Sequence, residues 1–515
     1  MNKSTFWKKL ARILFSQKTT IILLLLLQIV FLMSMILGAL EYTQWIYYLL
    51  TALGLVLAVY ICNQDVNPGY KLAWVVPLLG IPMFATVAYF ILSNQYSTKR
   101  ARRVHMQKCE LTKPYLKQES SVTTSLMIED SGLYQLSRYL DRYGGYPTCC
   151  NTTVEYFSSG MKKFQAMLRE LRKAERFIYM EYFIVGQGEM WSEIETILVQ
   201  KAAAGVDVRL MYDGMGSLDL LPLRYDRTLR ERGIKCHVFN PFRPLLSSIQ
   251  NNRDHRKICV IDGNVAFNGG VNLADEYINR RNRFGYWKDT AVMLRGDAVW
   301  NFTMMFLQMW EIVDDEPNDY NALRPTLTEV EKRAKGFVIP YGDSPLDSEN
   351  VGEMVYLDII SRARKYVYIT TPYLMPNNEL VTALEYAAKS GVDVRIITPG
   401  TPDKWYCRSI AWSFYRDLLE LGVKIYEFDG FIHAKNFVSD DKTAVVGTIN
   451  LDYRSLYLHF ECATFMYGTG AEPGIRRDFE ATLEHSREIT LADCDRRSLA
   501  SYAVSAVLRM FSPLL

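Results

Sequence analysis

The stretch from His255 to Asn272, with the sequence HRKICVIDGNVAFNGGVN, decides the organisation of the chain because a second copy of its pattern follows. The second copy runs from His433 to Asn450 and reads HAKNFVSDDKTAVVGTIN. In both copies the histidine is followed by lysine two residues later, aspartate seven later, glycine fourteen later and asparagine seventeen later. Apolar runs on either side of a polar turn predict two short strands joined by a tight turn.

The residue types in this pattern suit the chemistry of phosphate groups. Side chains two apart on a strand point to the same face, so each histidine shares a face with the lysine that follows it. An imidazole, an ammonium group and a carboxamide from each copy would together form a site for an anionic phosphoryl group flanked by two histidines. A buried structural histidine and a solvated lysine could explain one copy. Two copies at identical spacing, using two of the six histidines, favour a functional site.

The repeated block resembles the signature of the phospholipase D superfamily, and its flanks resemble those of bacterial cardiolipin synthases. The flanks that carry the likeness are Asn252–Lys257, Gly269–Tyr277 and Phe431–Lys435. The resemblance also covers the hydrophobic N-terminus and the ending Ser512–Leu515, so it spans essentially the whole chain. One departure is Gly270, which stands where many members of the superfamily have Ser or Thr; the second copy supplies Thr448 there.

The resemblance implies a set of catalytic residues, namely His255, Lys257, Asp262, His433, Lys435 and Asp440. By analogy His255 attacks phosphorus, and His433 protonates the leaving group and then deprotonates the incoming hydroxyl. The near-symmetry of the copies leaves the reverse assignment open. The two lysines are expected to hold the phosphoryl charge together with Asn272, Thr448 and Asn450. The two aspartates fall in the predicted turns, where we expect them to support the loop and the lysine.

A catalytic imidazole needs its second ring nitrogen held by a hydrogen bond, and a carboxylate does this best. Glu461 lies 28 residues after His433 in an apolar, strand-like run, where the resemblance implies a histidine-orienting acid, and we assign it to His433. The same offset from His255 falls on Arg283, which cannot serve. We therefore assign Asp289, 34 residues after His255, to His255. For each acid, a solvated or salt-bridged strand end is the alternative.

Composition limits the remaining classes of function. A chain of 515 residues is long enough for two large cores. Its 59 basic and 56 acidic residues give a formal charge of +3, which provides no general attraction for nucleic acid. Nine scattered cysteines without metal-ligand spacing fit a reducing compartment and predict no metal site. We expect no cofactor.

Three charge-free hydrophobic stretches precede the repeats: Thr19–Leu40, Trp45–Cys62 and Ala73–Ser93. Each has about the length of a membrane-spanning helix, although a cleaved signal peptide is an alternative for the first. Basic residues flank both ends of this region, which favours a cytoplasmic catalytic region and an even number of crossings. We predict a multi-pass cell-membrane anchor of two or three segments over residues 1–95. A basic connector over 96–150 follows, whose charges either contact anionic lipid or only set the topology. Within it, Leu133, Leu136, Tyr139 and Leu140 predict one short amphipathic helix.

An internal repeat defines the fold. Residues 173–182 are echoed by 362–370, and residues 203–209 by 389–395. Strands alternating with amphipathic helices predict an α/β fold whose sheets are covered on both faces. The resemblance implies two phospholipase D-like repeats, over 151–325 and 326–515, with mixed sheets flanked by helices and packed about a pseudo-twofold axis. Since each half holds one motif histidine, the site must lie where the halves meet.

The resemblance implies a cardiolipin synthase that acts on phosphatidylglycerol among anionic membrane lipids. One phosphatidylglycerol would donate a phosphatidyl group to another through a phosphohistidine, giving cardiolipin and glycerol. A phospholipase D hydrolase that uses water, and a phosphatidylserine synthase-like transferase, would use the same residues. A non-catalytic membrane scaffold is disfavoured by two intact motifs, and a nuclease by the near-neutral charge. The sequence does not set the acceptor, the acyl-chain preference or the oligomeric state.

Overall fold

The computed structural model describes the backbone of residues 26, 29–30, 33–34, 43–92, 96–241, 248–314 and 318–514. The predicted first hydrophobic stretch, 19–40, therefore lies almost entirely outside the described residues. The chain divides into two compact units. One comprises Met1–Ala101, Phe242–Asn252 and Val507–Leu515, and the other Arg102–Pro241 and Arg253–Ala506. Both copies of the motif belong to the second unit, which we call the catalytic unit.

The N-terminal unit contains the helices α1 (Thr43–Cys62), α2 (Pro68–Gly80) and α3 (Pro82–Leu92). Among the described residues, one helix is long and apolar enough to cross a membrane, Gln44–Cys62 within α1. The predicted third stretch is divided between α2 and α3. Proline disfavours helical geometry in the residue before it, and Ile81 accordingly has φ −138° and ψ 64°. The described residues thus support one crossing helix where the sequence predicts two or three segments.

The catalytic unit begins with helices that the sequence reading of residues 96–150 largely missed. They are α4 (Tyr96–Thr112), which begins in the N-terminal unit, α5 (Ser120–Glu129) and α6 (Ser131–Tyr139). Only α6 matches the predicted amphipathic helix. Asp130 caps it by accepting a hydrogen bond from Leu133 N, and Leu133 and Leu136 are buried. Gly145, at φ 75°, ends the turn that follows.

The first half of the catalytic unit holds a seven-stranded sheet in the order β1-β8-β6-β5-β2-β3-β4. Strands β2, β3 and β4 run parallel, and β5, β6, β8 and β1 form an antiparallel series beside them. Its elements are β1 (Thr152–Phe157), α7 (Gly160–Lys173), β2 (Phe177–Tyr182), α8 (Glu189–Ala203), β3 (Asp207–Asp213), α9 (Tyr225–Glu231), β4 (Lys235–Phe239), β5 (Lys257–Ile261), β6 (Val265–Gly269), β7 (Trp287–Lys288), β8 (Ala291–Gly296) and α10 (Val299–Trp310).

The second half repeats this plan in an eight-stranded sheet with the order β17-β12-β11-β10-β14-β15-β16-β9. Its elements are α11 (Glu329–Lys332), β9 (Phe337–Asp343), α12 (Val351–Arg362), β10 (Tyr366–Thr370), α13 (Asn378–Lys389), β11 (Asp393–Pro399), α14 (Trp405–Glu420), β12 (Lys424–Phe428), β13 (Phe431–Ile432), β14 (Asn436–Ser439), β15 (Thr443–Gly447), α15 (Tyr453–Tyr457), β16 (Glu461–Tyr467), α16 (Glu472–Leu483), β17 (Ser486–Ile489), α17 (Leu491–Asp495) and α18 (Leu499–Phe511). Strands β10–β12 correspond to β2–β4, and β14, β15 and β16 to β5, β6 and β8.

Reciprocal backbone contacts join the halves. Strand β7 of the first half pairs in parallel with β13 of the second, and Asp254 forms a parallel bridge with Phe460. The same kind of contact therefore occurs twice, with the roles of the halves exchanged. This confirms the predicted α/β fold of two related repeats about a pseudo-twofold axis.

The two motif strands lie deep in these sheets. All five residues of β5 and all four of β14 are buried. Helix α10 packs beneath the first sheet with all of its twelve residues buried. Residues at the ends of β5 and β14 are consequently held by a rigid core, which is where precise catalytic geometry is easiest to maintain.

Candidate active site

Each motif histidine is anchored on the opposite half of the catalytic unit. His255 N donates a hydrogen bond to Phe460 O at 2.9 Å, and His433 N donates to Lys288 O at 2.7 Å. Their side chains are 9% and 10% exposed. The two rings lie near enough for the charge of His433 to lower the pKa of His255. The structure thus brings together the residues that the repeat predicted to meet.

The acids that hold the histidines also cross between the halves. His255 Nδ1 lies 2.9 Å from both carboxylate oxygens of Glu461, and His433 Nδ1 lies 2.7 Å from Asp289 Oδ2. The sequence identified the two acids as histidine partners, but our pairing within each half was wrong. Asp289 holds His433, and Glu461 holds His255.

The acids are structural equivalents, although their distances from the motif histidines in the sequence differ. Gly270 N donates to Thr290 O, and Thr448 N donates to Cys462 O. Thr290 and Cys462 each follow one of the acids, so Asp289 and Glu461 occupy matching positions. The segment from His255 to Asp289 is six residues longer than that from His433 to Glu461. Equal spacing therefore could not identify the two acids as equivalent.

The hydrogen bonds define the tautomer of both rings. A carboxylate only accepts hydrogen bonds, so Nδ1 of each imidazole carries the proton and Nε2 keeps a lone pair. Burial lowers the pKa of His433 to about 4, helped by Lys435 and opposed by Asp289. The pKa of His255 lies well below its usual value because of burial and the charges of Lys257 and Lys435. Burial would raise the pKa of Asp289, but His433 and Lys435 hold it below its usual value.

The two motif lysines are almost fully buried beside the histidines. Lys257 Nζ donates to His255 O at 2.5 Å, and Lys435 Nζ donates to His433 O. Burial lowers the pKa of Lys257 to about 8 and that of Lys435 to about 7, against the attraction of nearby carboxylates. Lys404, which the sequence did not single out, adds a third positive charge that acts on His255.

Three predicted phosphate ligands make hydrogen bonds within the protein. Asn272 accepts from Ile184 N at 3.0 Å and donates to Tyr277 OH at 2.8 Å, and Asn450 donates to Ser455 Oγ at 3.0 Å. The Thr448 hydroxyl donates to the Glu461 carboxylate, and Cys462 O lies 3.0 Å away as the alternative acceptor for its single proton. Thr448 is therefore placed to support Glu461, contrary to the prediction that it binds phosphate. Each asparagine amide retains a second N–H.

The departure at Gly270 has a steric cause. A side-chain carbon at Gly270 would collide with the Asp289 carboxylate. In the second half the longer side chain of Glu461 leaves room for Thr448, which hydrogen-bonds to it. Glu461 thus accepts a hydrogen bond from the Thr448 hydroxyl, whereas Asp289 needs the room that Gly270 leaves by having no side chain.

The motif aspartates lie at the other end of the strands, which corrects their predicted place among the catalytic residues. Asp262, at φ 55°, accepts hydrogen bonds from the backbone N–H groups of Glu175, Arg176 and Phe177. Asp440, at φ 54°, does the same for Arg364, Lys365 and Tyr366. Each aspartate fixes the turn after its motif strand to the start of the neighbouring strand, β2 or β10, which runs antiparallel to the motif strand.

Aromatic rings and a third histidine complete the surroundings. Phe183 packs edge-on against His255 at 4.9 Å, and Tyr277 against His433 at 5.3 Å, between ring centroids. His459 lies 5.6 Å from His255, and Trp287 lies 5.4 Å from His433. Trp287 and His459 each come two residues before an orienting acid. The sequence analysis did not use this shared spacing, which would have placed both rings beside the site.

Two buried histidine–carboxylate pairs, two buried lysines and a twofold arrangement define a site for displacement at phosphorus. The family model "Cardiolipin synthase, PLD-like domain" matches residues 167–310 and 356–483. Cardiolipin synthase 2 of Bacillus anthracis is 34% identical over 457 residues, 88% of each chain. Cardiolipin synthase of Geobacillus kaustophilus is 33% identical over 464 residues, 89% of this chain and 91% of that one. The chain therefore belongs to the cardiolipin synthase family and is a phosphatidyltransferase of the phospholipase D type.

Two further relatives complete the comparison. A Streptococcus mutans protein with the name "uncharacterized protein" is 47% identical over 459 residues, which is 88% of this chain and 99% of that one. The crystal structure of phosphatidylserine synthase from Haemophilus influenzae Rd KW20 superposes with a TM-score of 0.53 at 14% identity, covering 74% of this chain and 98% of that one. At that identity the second likeness concerns the fold alone.

Proposed function

We propose that the protein transfers a phosphatidyl group from one phosphatidylglycerol to a second, giving cardiolipin and glycerol through a phosphohistidine intermediate. The observation that carries the proposal is the crossed pair of histidines, each held at Nδ1 by a buried carboxylate. Membership in the cardiolipin synthase family supplies the substrate class. The names of the relatives support cardiolipin as the product, and phosphatidylglycerol as donor and acceptor is what the resemblance to the family implies.

In the first step the Nε2 lone pair of His255 attacks phosphorus, and the bond to the departing glycerol oxygen breaks. The anionic phosphate of the bound lipid favours the imidazolium form of His433, which gives its proton to that oxygen, so neutral glycerol leaves. The pKa of His255 lies well below its usual value, whereas Asp289 opposes the burial and the Lys435 charge that lower the pKa of His433. This support of the protonated ring by Asp289 favours His433 as the proton carrier and His255 as the nucleophile.

In the second step a hydroxyl of the second phosphatidylglycerol attacks the phosphohistidine. Neutral His433 takes the hydroxyl proton, the N–P bond breaks, and His255 is regenerated with its lone pair. Lys257 and Lys435, with the free N–H groups of Asn272 and Asn450, stabilise the charge on the phosphoryl oxygens. One phosphodiester replaces another, so no nucleotide is consumed.

The proposal includes a membrane arrangement. Residues 1–95 anchor the chain in the cell membrane, the repeats of residues 151–325 and 326–515 carry the site, and that site faces the cytoplasm. Support comes from the basic residues on both sides of the anchor and from the one described helix that is long enough to cross. Anionic lipids are the expected partners, and the near-neutral net charge argues against nucleic acid.

In the deciding experiment, the purified full-length protein is incubated with vesicles in which phosphatidylglycerol is the only reactive lipid. Equal amounts of cardiolipin and glycerol are expected, and activity should persist after exhaustive chelation. His255→Ala and His433→Ala should each abolish turnover without unfolding the protein, and a trapped phosphoenzyme should form on His255. Phosphatidic acid as the main product would establish a hydrolase instead, and dependence on a nucleotide-activated lipid would establish a phosphatidylserine synthase-like transferase.

A further inference from the structure

One histidine beside the site has no role in the proposed transfer. The His459 side chain is 10% exposed, and among the described residues neither of its ring nitrogens has a hydrogen-bond partner. Its backbone N–H is fixed, because it donates to Arg454 O at 3.0 Å. Buried polar groups are nearly always hydrogen-bonded, and an exception calls for an explanation. In its neutral form the ring has one nitrogen lone pair, which no hydrogen bond of the described residues uses.

The lone pair lies beside two other possible metal ligands. His459 Nδ1 is 3.8 Å from Glu461 Oε1, and the same oxygen is 2.9 Å from His255 Nδ1. One ligand atom from each of these residues lies within 4.8 Å of the other two. Ligands about 2.0–2.1 Å from a tetrahedral zinc ion lie roughly 3.3–3.4 Å apart, so modest ring rotations would complete the geometry. Two imidazoles and one carboxylate are a donor set that zinc uses in sites with an open fourth position.

We propose that His255, His459 and Glu461 bind one zinc ion, which reversibly inhibits the enzyme. The ion takes the lone pair of His255 Nδ1, so the ring must carry its proton at Nε2. The proton that Nδ1 held against Glu461 is transferred to Nε2 by exchange with solvent, with no net release of a proton, and Nε2 then has no lone pair with which to attack phosphorus. Metal binding thus sets the tautomer opposite to the one that the carboxylate alone selects. The inhibitory effect rests on the proposed function, whereas the binding of the ion does not.

The other half of the catalytic unit provides an internal comparison. Trp287 occupies the position that corresponds to His459, and it packs 5.4 Å from His433. Among the described residues, the pair formed by His433 and Asp289 therefore has no third metal ligand beside it. One ion per chain is expected, and it should affect the nucleophile and spare the proton carrier. Lys257 and Lys435 oppose a cation at this place, which favours reversible inhibition over a permanently bound structural metal.

The test measures metal uptake by the full-length protein, first stripped with a chelator and then dialysed against zinc without lipid. The wild type should take up one equivalent, and cobalt in its place should give the strong visible absorption of a tetrahedral site. His459→Gln should weaken uptake at least ten-fold, and His459→Asn serves as a second variant if the first does not fold. The matched control is His237→Gln, which removes a half-buried histidine 3.4 Å from Asp314 and should leave uptake unchanged.

Inhibition is measured separately with phosphatidylglycerol vesicles. The zinc concentration that halves the rate should rise at least ten-fold in His459→Gln relative to the wild type, and a chelator should restore the wild-type rate. No uptake by the wild type, or equal uptake by the wild type and both His459 variants, would overturn the site. Uptake without any effect on the rate would overturn the tautomer mechanism. Absence of cardiolipin formation with normal uptake would count against the proposed function and leave the metal site standing.

Discussion

The two histidines are held by matching carboxylates, so replacing either carboxylate by an amide should slow the reaction on phosphatidylglycerol. An amide can donate a hydrogen bond to Nδ1 and thereby stabilise the wrong tautomer. Such a change at a histidine-orienting acid lowers kcat by up to about 10⁴-fold. We expect losses of several orders of magnitude on phosphatidylglycerol for both Asp289→Asn and Glu461→Gln, with lipid binding nearly unchanged.

An activated substrate separates the two acids. A phosphatidyl ester of nitrophenol has a leaving group that departs without a proton. Because Asp289 holds the proton carrier His433, Asp289→Asn should regain most of the first-step rate on this ester. Glu461→Gln should stay slow because the nucleophile itself is misdirected. Glu385→Gln, at a partly exposed residue of α13 that pairs with Lys389, is the control and should resemble the wild type on both substrates. The reverse pattern would mean that His433 is the nucleophile.

The buried lysines predict opposite pH dependences for activity and stability. The pKa of Lys257 is lowered to about 8 and that of Lys435 to about 7, below the value of about 10.4 in an unfolded chain. As the pH rises through about 7 to 8, the ammonium groups lose their charge and kcat/KM should fall. The unfolded chain binds more protons over this range, so the contribution of these lysines to stability should rise. A pH profile of kcat/KM beside denaturant unfolding checks both trends; a flat rate profile from about pH 6 to about pH 9 would contradict the lysine assignment.

At the scale of strands and turns, the spacing that the two motif copies share serves the stability of the fold as well as catalysis. Asp262 receives three backbone N–H groups at the start of β2. Asp262→Ala should lower the free energy of unfolding by about 1–3 kcal/mol through the lost hydrogen bonds, while kcat of the folded protein stays close to that of the wild type. Urea unfolding and steady-state kinetics on the same samples test this. Asp262→Asn, which keeps one acceptor oxygen, should show an intermediate loss; a collapse of kcat without a loss of stability would restore Asp262 to the catalytic residues.

The strands, the turns and the meeting of two motif histidines could be predicted from the sequence because each depends on spacing within one copy. The crossed partners could not, since Glu461 lies 206 residues from His255 along the chain and the first half carries six extra residues before Asp289. The role of Thr448 was also hidden, because a hydroxyl suits a phosphate and a carboxylate equally well. The proximity of His459 to His255 could not be predicted either, because the two residues belong to different halves and meet only in the folded protein.

At the scale of the whole molecule, helix lengths bear on the membrane topology. Helices α2 and α3 have 13 and 11 residues, or about 20 Å and 16 Å at 1.5 Å per residue, against a hydrocarbon core of about 30 Å. Neither is long enough to span a bilayer alone, whereas α1 is. The even number of crossings predicted from the flanking charges then depends on the hydrophobic stretch 19–40, which lies almost entirely outside the described residues.

A reporter fused after Leu515 should therefore behave as cytoplasmic. The same reporter placed after Gln64, between α1 and α2, should give the same result, and one placed after Glu41 should report the opposite face. These three fusions distinguish the contributions of α1 from those of α2 and α3. An external signal after Leu515 would mean that the number of crossings is odd.

The reciprocal anchoring of the two histidines has a mechanical consequence. Each ring depends on the other half for its acid, and each backbone N–H depends on it for its carbonyl. A slip of one half against the other would misalign the nucleophile and the proton carrier in the same motion. Turnover should therefore be lost as soon as the two halves separate, with no intermediate stage in which one histidine alone is misplaced.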